Sequence, residues 1–171
     1  MMHFVKNLAL AAGLALSMAC AQAQTLAGYV IHVSDGDTAT VITGKHHEKI
    51  RVRLAGIDAP ESKQDFGRRS QLLLSRLVKG RDVLVHVVDR DKYGRHVAWI
   101  ETEDGDAGEK MLEAGLAWAN IRFLGNLPRE MQVLYRHMEG VARTQKRGLW
   151  SAPNQIPPWE WRQMRRDSYL Q

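Results

Sequence analysis

An α+β fold, built on a five-stranded OB-type Greek-key β-barrel with about three helices, is what this sequence predicts. Three observations carry that expectation. Five short β-rich segments are separated by Asp-Gly, Gly-rich or polar turns. Helical periodicity follows the third and fifth of them. The chain has 171 residues, which suits one domain, and small barrels of this kind insert helices between strands in that order.

The elements read in order as follows. Gly28–Val33 is the first strand, and Ser34-Asp35-Gly36-Asp37 reverses it. Thr38–Thr43 is the second, with Gly44-Lys45-His46-His47 as a solvated hairpin tip. Lys49–Leu54 alternates polar and apolar residues, as a half-buried third strand does. Asp58-Ala59-Pro60-Glu61 closes that region, and a helix is expected from about Asp65 to Val78 with Gly80 as its stop. Val83–Val88 and Arg95–Ile100 are the fourth and fifth strands, joined by the turn Asp91-Lys92-Tyr93-Gly94. Glu103–Asp106 reads as a loop, and a short helix spans about Gly108 to Ala114. The last long helix, about Pro128 to Lys146, carries Met131, Leu134, Tyr135, Met138, Val141 and Ala142 on one stripe. Trp99 and Met111 read as core.

The ends are different in kind. Lys6 is the only charge before Asp35, an apolar stretch runs from Leu8 to Ala19, and Ala21-Gln22-Ala23 supplies small residues at cleavage positions. That is the pattern of a secretory signal peptide over residues 1–23. It implies export to the periplasm or the medium, with no membrane attachment after cleavage. The only cysteine, Cys20, lies in this leader, so no disulfide partner is expected in residues 24–171. Residues 24–151 form the expected domain, and 152–171 a Pro/Trp-containing tail packed on it. The net charge of +5 resides in residues 122–171, where nine Lys/Arg face four Asp/Glu. A polyanionic partner or a solvated helix face explains that equally well. No spare apolar stripe stands out, so a monomer is expected.

Chemistry-bearing residues gather at strand ends and turns, as the acidic pairs Asp35/Asp37, Asp58/Glu61 and Asp89/Asp91 with Arg53 and Arg95 nearby. Any one of these reads as an ordinary turn aspartate or surface arginine. Together they supply oxygen ligands for a hard cation, a group to hold an attacking water, and planar guanidinium forks for a phosphoryl oxygen. That is the equipment of phosphodiester hydrolysis. An OB module that binds nucleic acid without cutting it would drop the carboxylates or the arginines. An exported structural protein would use a cation for stability alone.

Val33-Ser34-Asp35-Gly36-Asp37-Thr38, Val52-Arg53-Leu54-Ala55-Gly56-Ile57-Asp58-Ala59-Pro60-Glu61 and Asp91-Lys92-Tyr93-Gly94-Arg95 resemble, in order and spacing, the staphylococcal-nuclease (thermonuclease) family. Gly148-Leu149-Trp150 and Pro157-Pro158-Trp159-Glu160-Trp161-Arg162 resemble the ending of its secreted bacterial members. The resemblance implies an exported Ca2+-dependent nuclease acting on DNA and/or RNA. It makes Asp37, Asp58 and the carbonyl of Ala59 the calcium ligands. Glu61 positions or deprotonates the water, and Arg53 and Arg95 clamp the phosphate. Asp35 either supports the ligands from behind or simply makes the turn. Where the family often has tyrosines, this chain has Trp118-Ala119-Asn120-Ile121-Arg122-Phe123. Trp118 or Phe123 stacks on a base and Arg122 holds a terminal phosphate, or these are core aromatics and a surface charge. Lys92 and Tyr93 line the substrate site or only form their turn.

Overall fold

Alternating apolar residues make each barrel strand two-faced, and the strands bury that face by closing on one another. The computed structural model describes residues 24–168; the leader lies outside the described residues. Strand β1 (Gln24–Asp35) pairs antiparallel with β2 (Thr38–Thr43), and β2 with β3 (Glu48–Leu54). After β4 (Ile57–Asp58) and helix α1 (Gly67–Val78), β5 (Asp82–Arg90) returns to the first half of β1. Strand β6 (His96–Thr102) pairs antiparallel with β5 and parallel with β3, which closes a five-stranded mixed barrel of OB type. Long β1 serves two partners, using residues 28–35 for β2 and 24–29 for β5, with register shifts after Val30 and Val33 that bend it around the barrel.

The remaining elements cover the barrel. Short β7 (Gly105–Asp106) lies in the expected loop and leads into α2 (Ala107–Glu113). Strand β8 (Trp118–Ala119) pairs with β4, and α3 (Ile121–Leu124) and α4 (Arg129–Thr144) follow. The core joins Val30, Val52, Leu54 and Ile100 of the barrel to Leu74 of α1, Met111 of α2 and Tyr135 of α4. Trp99 departs from its expected place. It is half-buried on the barrel wall, stacked on His86 at 4.6 Å.

Among the described residues five α-helices replace the expected three or so. Helix α3 is a single turn too short to leave a periodic signature. Helix α5 (Pro158–Ser168) occupies the expected tail. Pro158 suits a first helical turn, where no backbone N–H is required. Helix α1 begins two residues later than periodicity suggested, because Phe66 adopts φ 66° and breaks the helical path. Gly67 is then obligatory, since a Cβ there would lie 2.0 Å from the Glu61 carbonyl oxygen. Among the described residues no helix is long and apolar enough to cross a membrane.

Candidate active site

The turn between β1 and β2 sets the first carboxylate. Asp35 Oδ1 accepts from the Asp37 N–H at 3.0 Å, a side-chain-made turn that explains Asp35 locally. Gly36 allows the turn to approach α1, as a Cβ there would meet both Ala59 and Ser70 at 2.6 Å. Asp37 is then fixed on both oxygens. Oδ1 accepts from the Thr38 hydroxyl at 3.1 Å, and Oδ2 from the Ala59 N–H at 2.8 Å.

Register brings the second group. Thr38 faces Arg53 across the β2–β3 ladder, so the arginine side chain lands beside Asp37. The chain then turns sharply through Gly56, at φ 72°, where a Cβ would lie 2.4 Å from Leu127. That turn folds Asp58 back over the barrel rim, where β4 holds it against Trp118 of β8. Arg53 bridges the two carboxylates, with Nη1 2.5 Å from Asp37 Oδ2 and Nη2 2.8 Å from Asp58 Oδ1. Nη1 is buried and meets Asp37 Oδ2 as an ion pair without hydrogen-bond alignment.

Burial shapes the electrostatics. Asp58 is 1 % exposed and Asp37 7 %. Burial pushes the Asp37 carboxyl up to about 6; Arg53 and the Ala59 N–H pull it down, and the Asp35 charge adds to the rise. Burial also works against the Arg53 charge, but Asp37 and Asp58 outweigh it and its pKa ends raised. Desolvation rather than an excess of charge is the leading cause of the Asp37 shift.

This donor set fits a hard divalent cation. Two buried carboxylates, Asp37 and Asp58, converge on the Arg53 guanidinium, and oxygen donors gathered in this way suit a hard cation. Hard cations of this size take 6–8 oxygens, so water and substrate would complete the shell. Among the described residues no group of three or more His, Cys, Asp or Glu converges to hold a metal by itself.

Two residues at this rim went unnoticed as site members in the sequence. Arg162 of α5 reaches Asp58 Oδ2 and Glu61 Oε1, each at 2.7 Å, and so joins Glu61 to the cluster. Asn120 Nδ2 donates to Asp58 Oδ2 at 3.4 Å. The Pro/Trp-rich run ahead of Arg162 was a signal of anchoring, and its basic neighbour could have been read with it. Asn120 left no signal, because only the β4–β8 pairing brings it near.

The other expected residues are arranged differently. Arg95 stands two residues before Val97, the register partner of Arg53, and among the described residues none of its contacts reaches Asp37, Asp58 or Glu61. Its own partner is Asp91, Nε to Oδ2 at 2.6 Å. Burial opposes the Asp91 charge, but the Arg95 side chain and the Arg95 and Tyr93 N–H groups hold its pKa below the usual range. Asp91 thus organises its own hairpin rather than joining the cluster. Lys92 and Arg95 lie over the Tyr93 ring at 5.2 and 5.6 Å, and Tyr93 is 70 % exposed. Trp118 requires a correction. It is 3 % exposed, with Trp150 and Trp159 edge-on at 5.5 and 6.5 Å, so it has no face to offer a base. Arg122 and Phe123 are exposed on α3, two and three residues beyond Asn120.

Known proteins resemble this chain in sequence. The sequence profile described as "Staphylococcal nuclease homologue" matches residues 51–152, which include Arg53, Asp58, Glu61 and Arg95. A protein named "Uncharacterized endonuclease" from Escherichia coli O157:H7 is 41% identical over 136 residues, 79% of this chain and 84% of that one. A "Micrococcal nuclease" from Shigella flexneri is 39% identical over 144 residues, 79% of each chain. With the barrel, the arginine-bridged carboxylates and these relatives together, the chain belongs to the staphylococcal nuclease family and is a nuclease, a hydrolase of phosphodiester bonds.

Proposed function

We propose that this nuclease is an exported, calcium-dependent monomer that hydrolyses DNA and/or RNA by attack of a held water on phosphorus. The observation that carries the reading is the Arg53 bridge between two buried carboxylates, one of them raised to about 6. Asp37, Asp58 and the Ala59 carbonyl would hold the cation, which would supply neutralisation of phosphate charge when bound. Glu61 orients the water and receives its proton. As the water oxygen bonds to phosphorus and the ester P–O bond breaks, negative charge grows on the equatorial oxygens. Arg53 supplies an already oriented donor to that charge, and Arg95 a second from the β5–β6 turn.

Export fits the leader pattern of residues 1–23 and the chemistry. A nuclease without base-specific contacts is hazardous inside its own cell, and free calcium is plentiful outside the cytosol. With so few protein ligands, calcium binding without substrate falls in the ~10⁻⁴–10⁻³ M range of extracellular sites.

The deciding experiment incubates the protein with single-stranded DNA in millimolar calcium or excess chelator. Cleavage with calcium alone is expected. Equal cleavage in both would remove calcium from the mechanism. Export is checked by N-terminal sequencing of protein recovered outside the cytoplasm, where a start at Gln24 is expected and an intact Met1 would contradict it.

A further inference from the structure

Helix α5 lies outside the residues that match the family, yet it delivers an arginine to the centre of the site. The Arg162 guanidinium forks across two acidic groups. Nη2 is 2.7 Å from Asp58 Oδ2, while Nη1 is 3.3 Å from Asp58 Oδ1 and 2.7 Å from Glu61 Oε1. Its side chain is 41% exposed whereas Asp58 is 1% exposed, so the arginine closes over a buried carboxylate from the solvent side.

The placement is anchored independently of that ion pair. Gln64 Nε2 donates to the Ile156 carbonyl just ahead of α5, and Pro158 is buried. Trp159 packs edge-on against Trp118, the residue that faces Asp58 in the β4–β8 pairing. The anchor and the target carboxylate thus sit on one small ribbon. Arg162 also lines a cleft of about 360 Å³ together with Glu61, Lys63 and Arg166. A substrate phosphate reaching Glu61 would enter along those cations.

A guanidinium and a divalent cation compete for the same carboxylate oxygens. We propose that Arg162 is a tethered competitor of the metal: it neutralises Asp58 and Glu61 before substrate arrives, and it yields those oxygens when cation and phosphate bind together. The proposal rests on the assignment of Asp58 as a metal ligand. The exchange costs little when a phosphate is present, because the released guanidinium gains a phosphate oxygen as partner. Cation and substrate therefore strengthen each other's binding, and calcium alone binds weakly.

Calorimetric titration of calcium into the nucleic-acid-free protein tests this with no reference to activity. Arg162→Met is expected to bind calcium about fivefold to tenfold more tightly than wild type, the yield of a half-exposed ion pair. Arg166→Met removes the same charge from the same helix and is expected to change affinity less than about twofold. Asp58→Asn is expected to lose binding. If Asp58→Asn loses binding while Arg162→Met binds like wild type or more weakly, the competitor role is overturned and the ligand assignment stands. If Asp58→Asn binds like wild type, the ligand assignment falls and the competitor role with it. Near-UV circular dichroism of the tryptophans reports whether α5 stays docked. Should Arg162→Met lose that signature, Arg162→Lys decides, since it keeps the stem and charge but not the fork: tighter binding supports the proposal, and unchanged affinity overturns it.

Discussion

Asp37 and Asp106 are both aspartates at turns, and burial pushes the carboxyl of each up to about 6. Their surroundings differ. Asp37 meets Arg53, sits one turn from Asp35, and opens onto a rim shared with Asp58 and Glu61. Asp106 caps α2 by accepting from the Gly108 N–H at 2.8 Å, and its other oxygen accepts from the Tyr135 hydroxyl of α4 at 2.5 Å. Burial and the Asp106 charge in turn raise the Tyr135 hydroxyl well above its ordinary value. No cation faces that pair among the contacts it makes. A shifted carboxylate therefore does not by itself mark a site. What separates the two is an arginine that needs an acceptor and a path to solvent, against a phenol that satisfies the group inside the core.

The strongest way to break this contrast is Arg53→Ala. Loss of an oriented donor to the reacting phosphate is expected to lower kcat by about 10²–10³, and Arg53→Lys should rescue little because a single ammonium cannot bridge both carboxylates. Full activity in Arg53→Ala would make Asp37 as structural as Asp106.

Next comes the pH response of stability. The folded pKa of Asp106, about 6, lies above its ordinary 3.8. Its contribution is therefore fully present below about pH 4 and is lost as pH rises through 6, a change on the order of 3 kcal/mol. Asp106→Asn keeps the cap but cannot ionise, so urea unfolding between pH 4 and pH 7 should show a flatter stability profile than wild type. An unchanged slope would show that Asp106 is not the titrating group. Calcium-dependent cleavage at neutral pH should be preserved.

A smaller effect is expected from Tyr135→Phe, which leaves a buried Asp106 oxygen without its donor. Stability should fall by about 1–3 kcal/mol, with kcat per folded molecule unchanged. A large fall in kcat would couple the two regions through α4. The smallest expected effect is at the surface. Phe123→Ala should raise KM for single-stranded DNA about fivefold, roughly 1 kcal/mol of base stacking, and Trp118→Phe should leave KM alone because that ring is enclosed. The reverse result would reassign the base-stacking position.

Much of this was legible locally. Asp-Gly turns and alternating apolar residues placed five strands, since a half-buried strand must alternate and a tight reversal needs those residues. The long stripe of α4 marked its buried face through Tyr135 and Ala142. Other features left no local trace. Helix α1 starts late because Phe66 takes a left-handed backbone conformation, and Trp118 is enclosed because Trp150 and Trp159, distant in sequence, close on it.

Which residue types can do chemistry, and roughly where the chain turns, could be read from the amino acids alone, because both are properties of neighbouring residues. On that reading Asp89 and Asp91 stood on equal terms with the other acidic pairs. Which of these groups meet in space depends on long-range packing. The β2–β3 register places Arg53 beside Asp37, the turn at Gly56 folds Asp58 onto that same arginine, and docking of α5 brings Arg162 from 104 positions away. Asp91 stays with Arg95 in its own hairpin. Contacts between residues far apart in the chain depend on how every intervening element packs, and no local pattern encodes that.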